Sequence, residues 1–104
     1  MGSLSDHNPK TLSEAIVVWT GWGRSSWPAR DESRVVERFG KASLDLMPAV
    51  RAMEDDFYES DARDRAADLR EMATIATTQF RERHPDISDD AVQALAWCYT
   101  YDYK

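Results

Sequence analysis

Ala62, Ala66, Leu69, Ala73, Ala76 and Phe80 recur at steps of three and four residues. That spacing puts all six on one face of a helix, and a face so regular needs a second packed element to cover it. The pattern predicts one long helix, capped by Asp61 or by Ser60 before it and running to about Arg83. His84-Pro85 would end it, because the residue before a proline is pushed out of the α region. Four of the six residues are alanine, so a neighbouring helix can approach closely. No segment of the chain alternates convincingly with period two. The fold class that follows is all-α: a compact bundle of four to five helices joined by short connections.

The remaining helices are read in the same way. Leu12, Ala15, Ile16 and Trp19 predict a first helix from about Thr11, with Thr11 as N-cap and Gly21 and Gly23 beyond its end. Ile16, Val17 and Val18 would also suit a strand. A second helix is expected from Asp31, a good N-cap, through Val35, Val36 and Phe39 to a stop at Gly40. A third runs from about Ala42 to Tyr58, with Leu46, Val50, Met53 and Phe57 on its inner face. Pro48 fits it only in the first turns or at a kink. Ser88 caps a last helix that carries Ala91, Val92, Leu95, Ala96 and Tyr99. With 104 residues, 42% of them hydrophobic, the chain suits a single helical domain over residues 1–104, with residues 1–10 as a flexible tail.

Charge narrows the function. The net charge of −6 argues against a general nucleic-acid binder, which needs clustered Lys and Arg. The charge is uneven: residues 1–53 hold seven bases and six acids, whereas residues 54–104 hold six bases and thirteen acids. A single cysteine, Cys98, cannot make an internal disulfide and fits a reducing compartment, so a cytoplasmic location is expected. The longest apolar stretch, Ala15 to Trp19, is too short to span a bilayer. Gly2 lacks the Ser or Thr that myristoylation expects, since Asp6 stands there.

The acids peak between Glu54 and Asp64, six carboxylates against one arginine. If Val50, Met53 and Phe57 face inward, Asp55, Asp56 and Glu59 point outward, with Asp61 and Asp64 opening the next helix. Such a patch can steer a cationic partner and fix its register. The plainer reading is a solvated face in which Asp61 pairs with Arg65. No metal is expected: the run contains no glycine for a calcium loop, and neither His7 nor His84 has a Glu three residues before it. His84 reads as a helix-end residue that complements the dipole. Cys98, between Trp97 and Tyr99, reads as a buried and inert thiol. No nucleophile elbow or phosphate-cradling loop is present, so no catalytic residue and no cofactor are expected.

The second candidate surface is Trp19 to Trp27, where Trp22 and Trp27 could present hot-spot side chains beside Arg24 and Arg30. The favoured reading makes Trp19 core and folds Trp22 and Trp27 over the helix ends as a lid. Arg30, Arg34 and Arg38 recur every four residues and read as a solvated, internally paired face.

The ending Ala91 to Lys104, an Ala-x-x-x-Leu helix closing on aromatic-Asp-aromatic-Lys, resembles the last helix of small bacterial proteins encoded beside toxins. Val35 to Gly40 and the Phe57-Tyr58 pair are similar to them as well. The nearest group is the immunity proteins of contact-dependent growth inhibition systems. The resemblance implies a cytoplasmic antidote that binds one cognate toxin domain, often a nuclease, and occludes its active site. Asp55, Asp56, Glu59, Asp61, Asp64, Trp22 and Trp27 are the candidate partner-binding residues. The alternative is a small helical regulatory or structural subunit that dimerises through its apolar stripes, and a carboxylate enzyme ranks third.

Overall fold

The computed structural model describes residues 8–103. It is all-helical among these residues, in the order α1 (Pro9–Thr20), α2 (Glu32–Phe39), a 3-10 turn (Gly40–Ala42), α3 (Ser43–Tyr58), α4 (Ala62–Arg65), α5 (Leu69–Arg83) and α6 (Asp89–Tyr103). The four longer helices, α1, α3, α5 and α6, form the body. The last of these lies along both α1 and α5, and α3 packs against α1 and α5. No helix of the described residues is long and apolar enough to cross a membrane.

Residues 1–7, including Gly2 and His7, lie outside the described residues, but Asn8, Pro9 and Lys10 do not belong to a tail. The Asn8 side chain accepts a bond from the Lys10 amide at 2.7 Å, and Pro9 opens α1. An asparagine cap followed by a proline whose missing N–H costs nothing there is a strong start signal. The expected cap, Thr11, is already inside the helix. Ile16 and Trp19 sit in α1 and are buried, which removes the strand reading.

The start and stop of α2 match the expectation. Asp31 caps it by accepting from the Ser33 amide at 3.0 Å, and Gly40 ends it at a φ of 61°. The third helix runs through Pro48 unbroken.

The predicted long helix from Asp61 to Arg83 is two helices. Its chain leaves the α region at Ala66 (ψ 145°) and restarts at Asp68, whose carboxylate accepts from the Glu71 amide at 2.8 Å. The Glu71 carboxylate in turn accepts from the Ala67 amide at 3.4 Å. This pair of bonds resembles a capping box, with the Glu71 side chain reaching the residue before the cap, and it satisfies amides that an unbroken helix would have paired. The break also rotates the stripe. Met72, Ala76 and Phe80 are the buried face of α5, while Leu69 is exposed.

The core joins every long helix: Leu12, Ile16 and Trp19 from α1; Leu46, Val50 and Phe57 from α3; Met72 and Phe80 from α5; Val92, Leu95 and Tyr99 from α6. Phe57 stands at its centre, with ring centroids 5.4 Å from Phe80 and 5.5 Å from Tyr99. Ser13 ties α1 to the start of α6: its hydroxyl donates to the Pro9 carbonyl at 2.7 Å and accepts from the Ser88 amide at 2.9 Å. Ser88 itself caps α6 through the Ala91 amide.

Candidate functional site

The carboxylate surface is built at the C-terminal end of α3. The last turn of that helix contains Asp55 and Asp56 and no base, with Glu54 just before it and Glu59 as its C-cap. This arrangement opposes the helix dipole, whose C-terminal end favours cations. The fold answers part of the charge from elsewhere in the chain.

Glu54 is taken by Arg30, which precedes α2. The Arg30 Nε lies 2.7 Å from the Glu54 carboxylate, and its Nη2 lies 2.7 Å from Asp102 of α6. Arg30 Nη2 also donates to the Tyr58 hydroxyl at 2.8 Å, and that hydroxyl donates to Asp102 at 2.6 Å. Burial works against the charge of Arg30, but Asp102 and Glu54 outweigh it and hold its pKa above the ordinary value. The Tyr58 hydroxyl is pushed up by burial and by its bond to Asp102. Burial raises Asp102 as well, yet the bonds from Arg30 and Tyr58 bring it below the usual carboxylate range. Arg30 holds a left-handed backbone (φ 49°), which costs a non-glycine residue about 1 kcal/mol. It is fixed there by its side-chain contacts and by the neighbouring Asp31 amide, which bonds to the Trp19 carbonyl at 2.9 Å. The reading of Arg30 as part of a solvated stripe is therefore corrected: it is a half-buried clamp between α3 and α6. Arg34 pairs with Asp31 at 3.7 Å, inside the stripe as expected, whereas Arg38 pairs across to Glu14 of α1 at 2.6 Å.

Asp56 does not point outward as expected. It accepts from Arg83 Nε at 3.1 Å and lies 2.5 Å from His84 Nε2, at the end of α5. Burial raises its pKa, but the His84 and Arg83 bonds prevail and hold it low. His84 does cap the end of α5, and it spends its ring on Asp56. Asp61 pairs with Arg65 at 3.4 Å, as the spacing indicated, and accepts from Gln79 at 2.7 Å. Asp55, Glu59 and Asp64 are exposed and form no side-chain ion pair among the described residues.

The tryptophans divide. Trp19 is core, and Trp22 is half-buried, edge-on to Trp97 with centroids 5.4 Å apart. Trp27 does not join a lid; it is 61% exposed. Trp22 also lines a groove between α1 and α2. Arg24, expected beside the tryptophan loop, and Arg34, expected on a solvated stripe, line this groove together. The signal for that convergence was Gly21, whose φ of 82° closes α1 and folds the next residues back over it.

Cys98 is fully buried, and burial pushes its thiol pKa up to about 12, so it is not a nucleophile at neutral pH. Among the described residues, no group of three His, Cys, Asp or Glu side chains is placed to hold a metal ion. No protein-family model matches the chain, and no match was found among curated proteins or among solved structures.

Proposed function

We propose that this chain is a non-enzymatic inhibitory binding protein, an immunity protein that neutralises a cognate bacterial toxin domain by placing its carboxylate face over a basic active site. The observation that carries the reading is the unanswered charge at the end of α3. Glu54 and Asp56 each have a cationic partner from a distant part of the chain, whereas Asp55 and Glu59 have none among the described residues. They stand four residues apart at a helix C-terminus, where the dipole is unfavourable by about 0.3–1 kcal/mol and their mutual repulsion by about 0.2–0.5 kcal/mol. A face that costs stability in the free protein is well suited to meeting Lys and Arg on a partner. A nuclease cleft supplies such a surface. The resemblance of α6 to the closing helix of immunity proteins supports the same reading. The dimerising-subunit alternative draws less support, since Met72, Ala76 and Phe80 are spent on the chain's own core.

The test is protection of cells that express the toxin domain encoded beside this chain. Changing Asp55, Glu59 and Asp64 to Lys should abolish protection. The same variant should melt close to the wild-type temperature, because relief of repulsion at Asp55 and Glu59 offsets the loss of a favourable carboxylate, Asp64, in the first turn of α4. Full protection by the folded triple variant would overturn the proposed contact surface, and a neighbouring toxin that the wild-type chain fails to neutralise would overturn the function.

A further inference from the structure

The groove between α1 and α2 is independent of the carboxylate face. It has a volume of about 730 Å³, within the roughly 300–1,000 Å³ range of small-molecule sites. Val17, Val18 and Trp22 give it an apolar wall, and Arg24, Ser25 and Arg34 give it donors. We propose that it binds a small organic monocarboxylate with an apolar body, the carboxylate meeting Arg24 and Arg34 and the body lying on Val17, Val18 and Trp22.

Three features carry this. First, Arg34 is positioned in advance. Its Nη1 donates to the Ser25 hydroxyl at 3.2 Å, and both groups rest against Gly21. A Cβ on residue 21 would stand 2.6 Å from Arg34 Nη1 and 2.7 Å from Ser25 Oγ, so the missing side chain is what admits them. The Arg34 contact to Asp31 is long, 3.7 Å, and leaves donors of its fork uncommitted. Second, Arg24 is exposed and makes no ion pair among the described residues. Two guanidinium groups of one site suit a carboxylate, which accepts paired N–H donors. Third, the charge of the groove sets the ligand's valence. Glu14 and Arg38 also line it and neutralise each other at 2.6 Å. Glu37 lines it without a cationic partner among the described residues, so the lining residues by themselves carry an excess of one positive charge, which Asp31, outside the lining and 3.7 Å from Arg34, offsets only in part. A monoanion fits that excess, and a phosphate dianion would meet Glu37.

The experiment is a titration of the full chain followed by the Trp22 indole N–H in nitrogen–proton correlation spectra. The probes are 3-phenylpropionate, its uncharged amide and inorganic phosphate. The expected result is a saturable shift of Trp22 with 3-phenylpropionate near or below about 1 mM. The amide and inorganic phosphate should bind at least about tenfold more weakly. Arg24→Gln, at an exposed position that leaves the fold intact, should weaken the carboxylate by about tenfold. Arg24→Gln with Arg34→Gln should abolish it, and Arg51→Gln on α3 should leave it unchanged. Equal binding of acid and amide, unchanged affinity in Arg24→Gln, or no saturable shift would each overturn the proposal.

Discussion

Tyr99 and Tyr58 stand in contact, ring centroids 5.0 Å apart, yet removing their hydroxyls should move stability in opposite directions. Tyr99 is fully buried, and its hydroxyl has no hydrogen-bond partner among the described residues. Its ring does the packing, edge-on to Phe57 and Tyr103 as well as Tyr58. A buried hydroxyl left unpaired costs about 1–3 kcal/mol. Tyr99→Phe recovers that cost and keeps the ring. Only the small volume of one oxygen is lost, worth a few tenths of a kcal/mol on a scale of about 24 cal/mol per Å³. The net expectation is a gain of about 1 kcal/mol, which raises Tm by roughly 4–8 °C in a domain of this size. Tyr58→Phe breaks bonds of 2.6 Å to Asp102 and 2.8 Å to Arg30, and bonds to charged groups are worth about 1.5–3 kcal/mol. Because the cluster is partly exposed, a loss near the lower end is expected. Urea unfolding of the three proteins measures both effects, with the m-value as the check that the unfolded state is unchanged. If Tyr99→Phe is destabilised by about 1 kcal/mol or more, the hydroxyl does have a partner and the reasoning fails.

Acid should unfold the protein through Asp56 and Asp102. Both have pKa values held below the unfolded value of about 3.9, so their contribution is complete above that pH and is lost as pH falls through the folded values. Thermal melts from pH 6 downward should show Tm falling from about pH 4, and Asp56→Asn should flatten that fall while lowering Tm at neutral pH. In α5, Phe80→Ala should cost about 3–5 kcal/mol and Leu69→Ala under about 0.5 kcal/mol, by chemical denaturation. Similar losses would restore the unbroken helix, with Leu69 facing the core.

What was legible in the sequence is what neighbouring residues decide. Asp31 and Gly40 bound α2 because a cap and a left-handed stop act within a turn. Ser88 marked α6 for the same reason. The break at Ala66 was hidden because an apolar period ran through it, although Asp68 and Glu71 carried the capping signal. Asn8-Pro9 was likewise a start signal inside what read as a tail. The candidate site was less legible. Asp56 meets Arg83 and His84 across 27 and 28 residues, and Arg30 meets Asp102 across 72. Periodicity places a carboxylate on a face, but only the packing of α3 against α5 and α6 decides which carboxylates find a cation. That packing separates Asp55, Glu59 and Asp64 from the rest of the acidic run.

The proposed contact is between these three carboxylates and a basic partner surface. It is tested most directly by the association rate of the purified chain with the purified toxin domain, measured by stopped flow at rising ionic strength. Steered encounter between exposed charges is screened over roughly 8 Å at physiological salt. The wild-type rate should therefore fall steeply with salt, and the Asp55→Lys, Glu59→Lys, Asp64→Lys variant should associate slowly and lose that dependence. A rate insensitive to salt, or a triple variant that associates as fast as wild type, would contradict the claim.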